Sequence, residues 1–136
     1  MLTLDTSGIL AAANGRDPHH SEATSALRSD GGPYLVPAGI MAEVTYMIDA
    51  RLGDRVLDAF LGDLEEGAFI LDCGENDLPR VRELIIRYRD LPLGYADASV
   101  VACAERHGGL VLTFDLRHFA PLALEGFMRM AQLEDS

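Results

Sequence analysis

With 136 residues, 49% of them hydrophobic, the chain is long enough to bury a sizeable core and is expected to form one domain over residues 1–136. No apolar run approaches the ~18 residues of a membrane span, and Met1 leads straight into a strand-like segment without a secretory leader, so a cytoplasmic protein with no membrane contact is expected. Net charge is −11, from 22 acidic and 11 basic residues that are all Arg; this excludes a protein that coats nucleic acid by neutralising phosphates, and the lack of Lys excludes a P-loop.

Residues 2–4 read as a short buried strand with Asp5 at its C-terminal end. Asp5-Thr6-Ser7 then offers a capping cluster for a helix to about Ala13, and Asn14-Gly15 ends it. Asp17-Pro18 opens a second helix to about Ser29, followed by the turn Asp30-Gly31-Gly32-Pro33. Tyr34 to Val36 is a second strand, and Pro37 opens the helix that carries Glu43. Gly53 to Leu64 has Val56, Leu57, Phe60 and Leu61 at helical spacing, and Phe69 to Leu71 is a third strand. Asn76 or Asp77 caps a helix to Tyr88, whose arginines at 80, 82, 87 and 89 read as a solvated face. A loop through Gly94 leads into the helix of Asp97, which stops near His107-Gly108-Gly109. Leu110 to Thr113 is a fourth strand with Asp115 just beyond it, and Phe127 to Met130 is a candidate fifth.

Short apolar strands alternating with helices indicate an α/β fold, a three-layer α/β/α arrangement around a short, mostly parallel sheet of four to five strands. In open sheets of this kind the functional crevice lies beyond the C-terminal strand ends, where Asp5 and Asp115 both fall.

Four acids interrupt otherwise apolar elements: Asp5, Glu43, Asp97 and Asp115. Carboxylates rarely enter a core unpaired, and two of them about 4 Å apart repel by roughly 4 kcal/mol at an effective dielectric near 20. If the four converge, a divalent cation is the simplest species that would hold them together. Each also has an ordinary explanation. Asp5 could cap a helix and Asp115 a short helical turn, Asp97 could complement a helix dipole from its first turn, and Glu43 could reach solvent from the edge of an apolar face containing Ile40, Tyr46 and Met47.

The other polar residues give weaker signals. His19 and His20 read as solvated, His107 ends a helix, and His118 lies close to Asp115 without a pattern that makes it catalytic. Cys73 and Cys103 lack metal-ligand spacing and are expected as buried free thiols. Ser7 and Thr113 read as a cap and a strand hydroxyl able to orient a carboxylate. The methionines read as core filler or interface.

The stretches LTLDTSGILA, VPAGIMAEVTYMI, RYRDLPLGYADASVVACAERHGG and LVLTFDLRHFAPL, with DPHHSEA after the first, resemble the PIN domain, in particular the VapC-type ribonuclease toxins of bacterial toxin–antitoxin pairs. The resemblance reaches to about residue 125. It implies a catalytic quartet of Asp5, Glu43, Asp97 and Asp115, with Asp5 and Asp97 as the main ligands of Mg²⁺ or Mn²⁺ and Ser7 and Thr113 supporting. It also implies an RNA substrate such as tRNA or rRNA, a small cognate antitoxin and a homodimer. Leu116 departs from the Arg that many relatives carry there, although Arg117 follows.

Metal-assisted hydrolysis of a phosphodiester needs only such a carboxylate pocket and no side-chain nucleophile. A rim of Arg16, Arg51 and Arg117 is the expected device for meeting RNA on so acidic a protein. Two rival readings remain. One is a non-catalytic PIN-fold module that binds RNA or protein; the other is a metal-dependent phosphatase of another α/β family, weakened because receiver domains and haloacid-dehalogenase phosphatases use a Lys beside their aspartates.

Overall fold

The computed structural model describes residues 1–134; the last two residues of the expected 1–136 domain lie outside the described part. Five strands form one sheet: β1 (Thr3–Leu4), β2 (Tyr34–Pro37), β3 (Phe69–Asp72), β4 (Leu110–Leu112) and β5 (Arg129–Met130). Their order is β3-β2-β1-β4-β5, and every pairing is parallel. The fifth strand is shorter than the expected span from Phe127. The chain leaves β1 toward β2 and β3 and later returns to β4 on the other side of β1, so the order reverses between β1 and β4. That reversal is the topological switch point of the sheet.

The helices are α1 (Thr6–Ala13), α2 (His20–Asp30), α3 (Met41–Leu52), α4 (Asp54–Glu66), α5 (Leu78–Arg87), α6 (Tyr95–Arg106), α7 (Leu116–Leu124) and α8 (Ala131–Glu134), with a 3₁₀ turn at Ala38–Ile40 before α3. On one side α1 packs against α2 and α3, and α3 against α4; on the other α5 packs on α6, which lies along β1, β2 and β4. The result is the three-layer α/β/α arrangement. Strand residues Leu4, Val36, Val111 and Leu112 supply the middle of the core, and Ile9, Val44, Ile48, Leu84, Val100, Val101 and Phe119 cover them. Helix α6 is the most deeply set, buried without a break from Ala98 to Ala104, because its small side chains let it approach the sheet closely.

Two boundaries differ from expectation for local reasons. Helix α2 begins at His20 and not at Pro18, since the Asp17 carboxylate accepts a hydrogen bond from His19 N at 2.8 Å and closes a turn there. The segment after Asp115 is a nine-residue helix where a short helical turn was expected, with Phe119 and Leu122 driven into the core. Cys103 is buried as expected, but Cys73 is exposed, because it follows edge strand β3, whose Ile70 and Leu71 are themselves partly open.

Gly8 lets α1 touch β4: a β-carbon there would collide with the Leu112 carbonyl and side chain. Gly8→Ala is expected to lower stability by about 1–3 kcal/mol through overpacking. Gly15→Ala, with nothing near its would-be β-carbon, should shift it by less than ~0.5 kcal/mol. Denaturant midpoints of the two variants give the comparison; equal midpoints would show that α1 can move off β4 freely.

Candidate active site

Each of the four acids stands at the start of a helix that begins near the switch point. Asp5 and Asp115 occupy the positions just before α1 and α7, and Glu43 and Asp97 lie in the first turns of α3 and α6. Helix N-termini carry partial positive charge, which favours each acid by roughly 0.3–1 kcal/mol. All four line a single cavity of about 330 Å³, together with Thr6, Ser7, Met47, Arg51 and Phe114. The structure therefore brings the predicted quartet together.

Capping does not explain Asp5. Its side chain makes no cap hydrogen bond to α1. Instead Oδ2 accepts from Thr113 Oγ1 at 2.8 Å and from Ser7 Oγ at 2.9 Å, and the two hydroxyl oxygens stand 3.2 Å apart. The same hydroxyls receive the backbone of the following segment, Phe114 N on Ser7 Oγ at 2.9 Å and Asp115 N on Thr113 Oγ1 at 3.1 Å. Gln132 of α8 donates to the Thr113 carbonyl from behind. This lattice ties the end of β1 to the end of β4 and fixes one carboxylate at the junction. Asp115 does act as a cap, accepting from His118 N at 3.4 Å, so its two readings coexist.

The acids are not equally enclosed. Asp5 is 5% exposed, Asp97 and Asp115 are partly buried, and Glu43 stands at the open rim, because its helix face turns toward solvent where Tyr46 is 75% exposed. The expectation of four costly buried charges holds fully for Asp5 alone. Burial raises the proton affinity of Asp5 in spite of its hydroxyl partners. Asp97 is pushed up to about 6, by burial first and then by the charge of Asp5, with His118 opposing. Burial and the charges of Asp5 and Asp115 raise Glu43 as well.

His118 joins the acids directly, beyond its closeness to Asp115 in sequence. His118 Nδ1 lies 3.0 Å from Asp97 Oδ2 and 3.1 Å from Asp115 Oδ2, so one ring nitrogen bridges two of the quartet. Its position three residues after a helix-capping Asp was the available signal, since that spacing places both side chains over one turn. Of the three arginines expected at the rim, only Arg51 lines the cavity. Arg16 is an exposed loop residue and Arg117 is exposed on α7; neither lines it. His20 is not simply solvated, as its Nδ1 is 2.9 Å from the Ala11 carbonyl. Nor are Arg80 and Arg87 a free face: they pair with Glu105 and Glu125 and lie over Phe127.

Two other features compete for attention. A larger cavity of about 450 Å³ is lined mainly by apolar residues of α1, α4 and the sheet, among them Ile9, Val56 and Phe60, with Arg55 and Asp63 as its charged members. Asp63 is the one acid among its lining residues, whereas four acids converge on the smaller cavity, which is therefore the candidate site. Asp72, Cys103 and His107 also approach one another. Arg106 already pairs there with Asp72 and Asp77, and burial pushes the Cys103 thiol up to about 12, which leaves it protonated and inert.

The family model of the PIN domain matches residues 2–123. The chain belongs to the PIN-domain family. Among curated PIN relatives, Ribonuclease VapC26 of Mycobacterium tuberculosis is 31% identical over 123 residues, covering 89% of this chain and 91% of that one. The crystal structure of Mycobacterium tuberculosis VapC20, a sarcin–ricin loop cleaving toxin, superposes with a TM-score of 0.75 at 20% identity over 89% of this chain and 95% of that chain. FitAcB from Neisseria gonorrhoeae superposes with a TM-score of 0.57 at 17% identity, over 96% of each chain. These two structural likenesses show the PIN fold.

A divalent cation fits the donors of this PIN pocket. They are carboxylate oxygens, the hard ligands that Mg²⁺ and Mn²⁺ prefer. Asp5 is buried with the Ser7 and Thr113 hydroxyls and the Thr6 backbone as partners, and with no ion pair to a basic side chain among the described residues. The Thr6 hydroxyl in the same wall is buried without a partner. His118, Asp97 and Asp115 also stand close enough to share one ion.

The raised Asp97 has a measurable consequence in metal-free protein. Its folded value of about 6 lies above the ordinary 3.8, so the folded state binds more protons than the unfolded chain between those values. Stability must therefore fall as pH rises through that window. Asp97→Asn is expected to stabilise the chelated protein at pH 7 by on the order of 1 kcal/mol, once the solvent reaching a half-buried group is allowed for. The gain should vanish near pH 4. Chemical denaturation of both proteins in chelator at pH 4, 5, 6 and 7 measures it, and a gain that does not depend on pH would refute the charge explanation.

Proposed function

We propose that the chain is a metal-dependent endoribonuclease and the toxin of a toxin–antitoxin pair. It would act in the cytoplasm as a single nuclease domain on structured RNA of the tRNA or rRNA class, as a homodimer held in check by a small antitoxin. The observation that carries this reading is the convergence of Asp5, Glu43, Asp97 and Asp115 on one cavity at the switch point of the sheet. Membership of the PIN family supports it, as does the 31% identity to a protein named as a ribonuclease.

Asp5 and Asp97 would hold Mg²⁺ or Mn²⁺, with Glu43 and Asp115 completing the pocket directly or through water. Bound there, such a cation supplies an activated water and offsets charge on the phosphoryl and leaving oxygens. The rest falls to the chain's own residues. Ser7 and Thr113 hold Asp5 in one orientation, so that it need not reorganise when the phosphate arrives. His118 keeps Asp97 and Asp115 at a fixed separation. Glu43, at the rim with its proton affinity raised, is placed to accept a proton from the attacking water. Arg51 is the guanidinium in the cavity wall that meets a phosphate oxygen. Water is the nucleophile, and no covalent enzyme intermediate is needed.

Purified protein incubated with structured RNA in Mg²⁺ or Mn²⁺ should cleave it, and chelator should stop the cleavage. Asp5→Asn and Asp97→Asn should each lower the rate by at least ~100-fold, and Ser7→Ala or Thr113→Val by about 10–100-fold. Metal-dependent cleavage that survives either Asp variant sinks the assignment. Arg51→Ala should weaken RNA binding, while Arg16→Ala and Arg117→Ala leave it nearly unchanged; equal losses at all three would restore the wider rim.

A further inference from the structure

The wall of the acid cavity contains an aromatic ring that the proposed chemistry does not use. Phe114 lines that cavity between Thr113 and Asp115, and its backbone is pinned by Ser7. The imidazole of His19, from the loop between α1 and α2, lies flat on it: ring centroids are 4.5 Å apart and the planes differ by 8°. One face of His19 is thus covered, yet its side chain remains 49% exposed. Phe114 covers one face and Glu22 Oε1 stands 3.7 Å from Nδ1, so the exposed part of the ring includes the face turned away from Phe114. A parallel pair of rings whose inner member, Phe114, stands in the wall of a carboxylate pocket is a geometry that accepts a third planar ring on its outer side.

We infer that His19 and Phe114 form a nucleobase-stacking platform, on which an unpaired base of the RNA next to the scissile phosphate is laid. The inference takes RNA as ligand from the nuclease reading above and adds to it how the RNA is held. Chain charge favours this mode over backbone attraction. Net charge is −11, and among the described residues Arg51 is the only arginine in the cavity wall, so phosphate neutralisation supplies little affinity. Stacking on an aromatic face needs no positive charge and works for any base. It also requires the base to be out of a duplex, which makes loops, bulges and single strands the substrate class and excludes continuous double helix. His19 contributes its outer face. Phe114 contributes the link to the pocket, since it backs His19 on one side and adjoins the acids on the other.

The test uses full-length protein carrying Asp97→Asn, so that bound RNA survives, and single-stranded hexaribonucleotides with 2-aminopurine at each position in turn. Binding should quench the fluorescence strongly at one position, because the probe stacks. His19→Ala in that background should weaken binding roughly tenfold and abolish the quench, whereas His19→Tyr should retain both. The salt dependence should be shallow, about one phosphate's worth, with a slope near −0.7, and His19→Ala should leave that slope unchanged. Quenching that persists in His19→Ala, affinity within twofold of the parent, or no quenching at any position each overturns the platform. Cleavage by otherwise unaltered protein is scored separately: platform failure with cleavage intact leaves the nuclease reading standing. Stacking without cleavage removes the nuclease reading alone.

Discussion

Crowding of negative charge beyond the ends of β1 and β4 is the constraint on which the rest of this structure depends. Carboxylates brought together repel, so the fold must supply forces that hold them. It supplies three of modest size. Two hydroxyl protons converge on Asp5 Oδ2, four helices begin at the acids with their partial positive ends, and one imidazole nitrogen bridges Asp97 and Asp115. None of these is a full buried cation on Asp5. The raised proton affinities of Asp5, Glu43 and Asp97 register what remains uncompensated. A pocket that retains such a deficit is suited to taking up a positive ion.

The sheet order makes the crowding geometrically possible, and two glycines bring the last elements into range. Placing β1 between β2 and β4 puts Asp5 beside the segment that ends in Asp115. Gly8 then lets α1 rest against the Leu112 carbonyl, so that Ser7 reaches both Asp5 and Phe114 N. Gly39, in the turn before α3, has Ser99 of α6 so close that a β-carbon would collide with it. That contact draws the first turn of α3, with Glu43, toward the first turn of α6, with Asp97. Backbone approach at two positions bordering the acid cavity thus sets where three of the four acids lie.

Much of this was legible in the sequence because it is written in local patterns. Short apolar strands between amphipathic helices revealed the α/β class, and Asp5 and Asp115 announced themselves by ending strands. Depth of burial was less readable. Glu43 has apolar neighbours at helical spacing, yet Tyr46 on that face is open, so an apolar face in sequence need not be a buried face. His118, the His19–Phe114 pair and the lone rim arginine Arg51 depend on contacts between segments far apart in the chain, or on which way a loop turns. Spacing along one segment places His118 over Asp115 but carries no information about its contact with Asp97 or about the other two. Cys73 illustrates the same error: its apolar neighbours belong to an edge strand, which pairs on one side only.

The acidity of the chain also sets an order of events at the pocket. On the nuclease reading proposed above, an RNA phosphate approaching Asp5, Asp97 and Asp115 without compensation would meet like charge in a partly buried site, where solvent screening is weak. Guanidinium from Arg51 offsets one charge at most. Phosphate can therefore settle only where positive charge has already entered, and until then whatever holds the RNA must act without charge. Stacking on the proposed His19–Phe114 platform would meet that requirement, and the carboxylates beside Phe114 are the reason the requirement exists.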